Sequence, residues 1–275
     1  MKKRSVFERI AASPYAFWAA LFIIAPLLFV VYFAFTTPTP EDGFTWINIE
    51  SLPSYSNTFL MSIAFSLIAT VVCFLIGYPL AYCMCRMKER TRNILMTLIM
   101  LPMWISLLIR TYSLMALLDN GGLISSFLTT LGFEKLTFIG TEGAVILGMI
   151  YDFLPYMVLP IYTSMSKLDK RYLEAAADLG CNSRQTLFKV ILPLTTPGII
   201  SGITMVFVPS ISTFYISQKL GGGSFDLLGD VIERQFKNAV TYHTGAAISL
   251  VMMILILISL AIMNKFSDSG EDIIV

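Results

Sequence analysis

Six stretches of this chain are each long and apolar enough to cross a bilayer, and that constraint decides the fold class before any motif is considered. They run approximately from Tyr15 to Phe35, Ser62 to Met84, Ile94 to Leu118, Gly143 to Met165, Val190 to Gln218 and Thr244 to Met263. A helix needs roughly 20 apolar residues to span the hydrocarbon core. The first, second, fifth and sixth stretches contain no Asp, Glu, Lys or Arg, whereas the third holds Arg110 and the fourth Asp152. None alternates apolar with polar residues as a membrane barrel strand would, and backbone groups in lipid must be satisfied within their own segment. The expected fold is therefore an all-α integral membrane protein with six transmembrane helices. Composition agrees, because 56% of the 275 residues are hydrophobic and 13% are charged. A soluble domain carries about a quarter charged residues, and an interior this size cannot hide so much apolar surface from water.

The first stretch follows Lys2, Lys3 and Arg4, as a signal peptide would. Its apolar run is longer than the roughly 7 to 15 residues of a signal sequence, and no A-x-A-like cleavage site follows, so it reads as a retained span. Orientation comes from Lys and Arg in the connections. With the N-terminus inside, the inner segments take the basic residues from Lys2 to Arg9, Arg86 to Arg92 and Lys167 to Lys189, with Lys265. The outer ones take Lys135, Lys219, Arg234 and Lys237. That asymmetry places both termini in the cytoplasm. The expected organisation is a cytoplasmic segment over residues 1–14, a six-helix transmembrane domain over 15–263 and a cytoplasmic tail over 264–275.

Between the fourth and fifth spans lies a polar, charge-mixed island, EAAADLGCNSRQTLFKVILP, from Glu174 to Pro193. Helix formers dominate Tyr172 to Leu179, Gly180 interrupts, and Ser183 is placed to cap a second short helix through Arg184, Gln185, Leu187 and Phe188. From residue types alone this is a solvated connection on the membrane surface. Its spacing says more. Glu174-Ala175-Ala176, three residues, Gly180, nine residues, Val190, one residue, then Leu192-Pro193 resembles the EAA signature of importer permeases driven by an ABC-type ATPase, with Val190 where that family usually has Ile. The resemblance implies a coupling helix within a segment spanning about 166–190, docked in a groove of the ATPase. It assigns ATPase coupling to Glu174, Ala175, Ala176, Gly180, Leu192 and Pro193.

No motor lies in the chain itself. There is no G-x-x-x-x-G-K-[ST] phosphate loop, and Gly221-Gly222-Gly223 lacks the following Lys and Ser or Thr, which leaves a flexible turn. The single histidine, His243, has no catalytic constellation in sequence and fits a membrane-interface position. Cys73, Cys83, Cys85 and Cys181 fall on or near the cytoplasmic side, where disulfides are disfavoured. No catalytic or metal residue is expected, and no basic block suits nucleic acid.

Two intramembrane charges are the clues to a solute, since each is costly in lipid and tends to face a cavity or a partner. Asp152 lies near the middle of the fourth span, with Tyr156 one turn on, and Pro155 and Pro160 can loosen the helix. A carboxylate beside an aromatic ring suits an amine cation. Asp152 can equally pair with Arg110 as a structural bridge. An unpaired Arg110 would instead suit an anion such as phosphate or sulfate. Trp104, Tyr112 and Tyr215, with Phe214, are candidates to line the outer pathway, or are interface aromatics. Gly198 and Gly202, with Pro193 and Pro197 before them, offer a small-residue face either to a second subunit or to the chain's own helices.

Longer runs sharpen the resemblance. MLPMWISLLIRTYSL, MVLPIYTSMSKLDKRYLEAAADLG and PLTTPGIISGITMVFVPSISTFYISQKLGG are similar to the permease subunits of spermidine/putrescine importers, over nearly the whole chain and in the same span order. The resemblance implies a bacterial inner-membrane, non-catalytic subunit that passes polyamines inward by alternating access. It also implies an ABC ATPase dimer that binds ATP and magnesium, a second homologous permease subunit, an extracytoplasmic polyamine-binding protein, and surrounding membrane lipid. The rivals are an ABC permease for an anion or another organic solute, and a membrane scaffold without transport.

Overall fold

The computed structural model describes residues 14–15, 17–37, 43–131 and 137–271. The basic residues Lys2, Lys3, Arg4 and Arg9, Lys135, and the last residues of the expected tail lie outside the described residues. Among the described residues every regular element is helical, apart from one isolated bridge between Thr36 and Phe44. The chain divides into two units.

The smaller unit comprises the described residues of Met1–Ser56 and Val231–Leu255. Its first helix, α1 (Phe17–Ala34), is apolar and only 6% buried within the chain, a surface suited to lipid rather than to water. Phe22, Phe29 and Tyr32 all project outward. The end of α1 is closed by side chains. Asn48 Nδ2 donates to Ala34 O (3.2 Å) and Thr36 O (2.9 Å), satisfying a helix-terminal carbonyl. His243 Nδ1 lies 3.1 Å from Phe33 O and 3.2 Å from Thr36 Oγ1. The lone histidine thus ties down the same helix end. Ala34, Ala246 and Ala247 form the buried centre of this unit, small enough for backbones to approach.

The larger unit comprises the described residues of Asn57–Asp230 and Ile256–Val275. Its helices are α2 (Ser56–Arg86), α3 (Glu89–Trp104), α4 (Leu107–Leu118), α5 (Leu123–Thr130), α6 (Glu142–Ser166) and α7 (Lys170–Asp178), followed by α8 (Ser183–Leu194), α9 (Thr196–Ser212) and α10 (Tyr215–Leu220), with the first residues of α11 (Leu228–Lys237) and the second half of α12 (Tyr242–Glu271). The start of α11 is pinned to α2, where Leu228 N donates to Ser62 Oγ (2.8 Å).

Helix α6 is the centre of this unit, with 56% of its apolar window buried. It stays unbroken through Pro155 and Pro160, so the loosening expected of those prolines does not interrupt it. Met149, Met157, Val158 and Ile161 are sealed in the core. Helix α9 crosses α6 at the two glycines of the sequence GIISG. A Cβ on Gly198 would overlap Ser164 Cβ and come within 2.8 Å of Pro160 O, and one on Gly202 within 2.8 Å of Met157 Sδ. The small-residue face therefore packs against the chain's own α6, one of the two uses open to it in sequence.

Among the described residues four helices are long and apolar enough to cross a membrane, and two bent pairs bring the number of candidate spans to as many as six. The expected third and fifth spans are these broken ones. The third divides between Glu89–Trp104 and Leu107–Phe127, bent by 100°. Pro102 lacks an N–H, and Ile105 adopts extended backbone, which ends α3. The fifth bends by 67° between Ser183–Leu194 and Thr196–Ser212. There the buried Thr195 hydroxyl turns back onto Ile191 O (2.8 Å) and Leu192 O (3.1 Å), and Tyr78 Oη meets it at 3.3 Å. The same stretch ends at Ser212, because Thr213 is extended, and Tyr215 begins the separate α10.

Candidate functional site

Three constellations carry the chemistry, and the first is the polar island. Asp169 caps α7, its Oδ1 accepting from Arg171 N (3.0 Å). The helix closes where Gly180 N donates to Ala177 O (2.9 Å) and Cys181 N to Ala176 O (3.0 Å), with Gly180 at φ +76°. That left-handed position is what a glycine supplies cheaply. A Cβ there would meet nothing within 4 Å, so the position is open to an incoming surface.

The residue after this turn corrects the expected cap. Asn182, not Ser183, is the N-cap of α8, and its Oδ1 accepts from Gln185 N while Gln185 Oε1 accepts from Asn182 N, both at 2.9 Å. This reciprocal pair leaves both residues satisfied and fixes the start of α8. A π-wound turn, Leu187–Ile191, follows before the bend at Thr195.

The signature residues divide between two faces. Glu174 and Ala175 are exposed, whereas Ala176 is 4% exposed and packs inward. Leu192 and Pro193 are half-buried at the bend rather than on the outer face. The open surface instead presents Leu179, 84% exposed, and Phe188, 63% exposed. Sequence reading missed these two because a lone apolar residue in a polar segment gives no signal of which way it points.

The second constellation joins α4 to α6 through buried charge. Arg110 Nη1 lies 3.0 Å from Asp152 Oδ1, with the two side chains 6% and 1% exposed. The same nitrogen donates to Asp152 O (3.2 Å), and Thr111 Oγ1 donates to Asp152 Oδ2 (3.4 Å). Of the two roles open to Asp152, the geometry displays the structural bridge. Tyr156, expected to share an amine with it, packs on Phe153 with ring centroids 6.4 Å apart.

The third constellation is aromatic. Tyr112 of α4 and Tyr215 of α10 meet edge to face, with centroids 5.9 Å apart. Lys219 Nζ lies over both rings, 5.3 Å from the Tyr112 centroid and 5.7 Å from that of Tyr215. Lys219 is one helical turn beyond Tyr215, a spacing visible in sequence. Its convergence with Tyr112 was not. Trp104 is 79% exposed at the end of α3, where the third span breaks.

Comparison with known proteins places this architecture. Residues 74–271 match the family described as "Binding-protein-dependent transport system inner membrane component". The spermidine/putrescine transport system permease protein PotB of Haemophilus influenzae is 37% identical over 257 residues, covering 90% of each chain. PotB of Escherichia coli (strain K12) is 38% identical, covering 86% of this chain and 89% of that protein. The inner membrane ABC transporter permease protein YdcU of Escherichia coli (strain K12) is 30% identical, covering 82% and 77%. Among solved structures, a bacterial ABC transporter involved in import of the acidic polysaccharide alginate has a chain that superposes with a TM-score of 0.77 at 17% identity, covering 96% of this chain and 95% of that one. A chain of the MetNI methionine ABC transporter gives 0.57 at 16% identity, covering 78% and 94%. With a family match over residues 74–271 and relatives above 30% identity along most of its length, the chain belongs to the inner-membrane components of binding-protein-dependent transport systems, as an ABC importer permease homologous to the PotB proteins.

Proposed function

We propose that this chain is the polyamine-translocating permease subunit of an ATP-driven importer in a bacterial inner membrane. The observation that carries the substrate class is the 37% identity to a spermidine/putrescine permease over 90% of both chains. The aromatic constellation supports it physically, because Tyr112 and Tyr215 already hold one alkylammonium group, the chain's own Lys219. The Arg110–Asp152 pair removes the reason for the anion reading, since the guanidinium has its counter-charge inside the fold. Asp152 and Tyr156 then support the pathway from within rather than by lining it.

In this reading each bent pair counts as one span, giving six, with both termini and α7 in the cytoplasm. The segments stand as residues 1–14, 15–263 and 264–275. The permease is non-catalytic. A partner ATPase dimer binds ATP and magnesium and receives α7 and the start of α8, through Glu174, Ala175, Gly180 and the exposed Leu179 and Phe188. A second permease completes the pathway, and an extracytoplasmic polyamine-binding protein delivers the solute.

The mechanism is alternating access. ATP binding closes the ATPase pair and moves α7, and α8 transmits that movement across the Thr195 bend to α9. Because α9 lies against α6 at Gly198 and Gly202, the two helices shift together, and the pathway turns from inward to outward facing. Hydrolysis returns it. The coupling is the difference in contacts that α7 makes in the two states. Uptake of labelled spermidine by cells lacking the gene, with and without the restored chain, tests the reading.

A further inference from the structure

A basic cavity of about 250 Å³ lies where several helices end or begin together. Arg86 is the last residue of α2, Arg92 is in the first turn of α3, Ser166 ends α6, and Lys170 begins α7. Three cations thus line one small space, and no Asp or Glu lines it with them. The Arg86 guanidinium is held over the Tyr82 ring, 4.3 Å from its centroid, which restrains the side chain and leaves its in-plane N–H groups for another acceptor. Arg92 Nε is buried with no hydrogen-bond partner. A buried N–H of a charged group is costly to leave unpaired, and clustered like charges repel. Tyr162, one turn before Ser166 on α6, adds a hydroxyl donor, while the Ser166 hydroxyl donates to Thr163 O (3.0 Å).

We propose that this cavity binds a phosphate group, presented by the headgroup of an anionic phospholipid. The anion supplies the counter-charge the three cations lack and an acceptor for Arg92 Nε. The lipid source follows from position, because Arg86 and Ser166 close membrane-crossing helices, the depth at which headgroup phosphates lie. The apolar wall, which includes Leu173 and Ile191, suits the adjoining glycerol and acyl carbons. Lys170 and Leu173 belong to α7, so a bound headgroup braces that helix against the spans.

The test uses the chain assembled with its partner subunits in phosphatidylcholine nanodiscs carrying trace spin-labelled phosphatidylglycerol or spin-labelled phosphatidylcholine. The wild type is expected to immobilise the phosphatidylglycerol label preferentially, and Arg92→Gln with Lys170→Gln to reduce that preference by roughly fivefold per charge removed. Lys167→Gln, outside the cavity, leaves the preference intact and controls for general surface charge. Retention of radiolabelled inorganic phosphate without lipid preference would keep the phosphate chemistry and overturn the lipid source. Equal immobilisation of the two lipids with no phosphate retained, or a preference that survives the double substitution, would overturn the proposal.

Discussion

Arg110 and Asp152 bind two helices into one body: Nη1 and Oδ1 stand 3.0 Å apart with both side chains withdrawn from solvent, and the same guanidinium reaches the Asp152 carbonyl. Helix α4 lies beyond the 100° break after α3, and this anchor is, among the described residues, its one buried ion pair to α6, beside the Tyr112–Lys219 contact that ties it to α10.

Removing one partner strands the other charge. Asp152→Asn or Arg110→Met is therefore expected to destabilise the subunit by about 3–5 kcal/mol, and the double change Arg110→Met with Asp152→Leu to recover most of that. Thermal unfolding of the purified complex in detergent reads both. A double variant that folds well and yet no longer transports would show that the charged pair serves transport as well as folding.

Lys219 occupies the aromatic pair proposed to receive a polyamine ammonium. Replacing it with Met is expected to lower the KM for spermidine, by about twofold to thirtyfold from a cation–π contact of about 0.5 to 2 kcal/mol. Tyr112→Leu should raise the KM with little effect on folding, since Tyr112 is half exposed. Initial-rate uptake over a range of spermidine concentrations measures both. A KM unchanged in both variants would remove the pair from the pathway.

The crossing of α9 on α6 sets a graded tolerance. Gly198→Ala is expected to cost more than Gly202→Ala, because the new methyl meets Ser164 Cβ and the Pro160 backbone oxygen, whereas at Gly202 the nearest atom is the thioether of Met157. About 1–3 kcal/mol separates a tolerated crossing from a displaced one. The melting temperatures of the two variants give the order, and Met157→Ala is expected to relieve the Gly202 substitution alone.

Much of this fold was legible because lipid leaves few options: the apolar runs announced helices, and the EAA spacing marked the polar island. The breaks were less so. Ile94 to Leu118 reads as continuous by hydropathy, and only Pro102, one proline among several, hints at the turn that separates Trp104 from Leu107. Pro155 and Pro160 carry the same hint and leave α6 unbroken, since tertiary packing decides which prolines end a helix. The Asn182 cap was hidden beside Ser183, because either residue can accept from N3 and the choice depends on where Gly180 releases the chain. Asp152 and Arg110 were visible as charges in lipid, but sequence could not say that they face each other. Ala176 shows the same limit, a motif residue whose side chain turns inward while Leu179 takes the outer surface.

The most direct measurement is ATP-dependent uptake of labelled spermidine in cells lacking this gene, complemented with the wild type or with Gly180→Asp. Gly180 faces open space at φ +76°, so the substitution strains one turn by about 1 kcal/mol and adds a charge to the surface proposed to receive the ATPase. The account predicts uptake restored by the wild type and abolished in the variant, with both proteins present in the membrane. Wild-type protein that assembles with its ATPase and moves no spermidine, or a variant that transports normally, would contradict it.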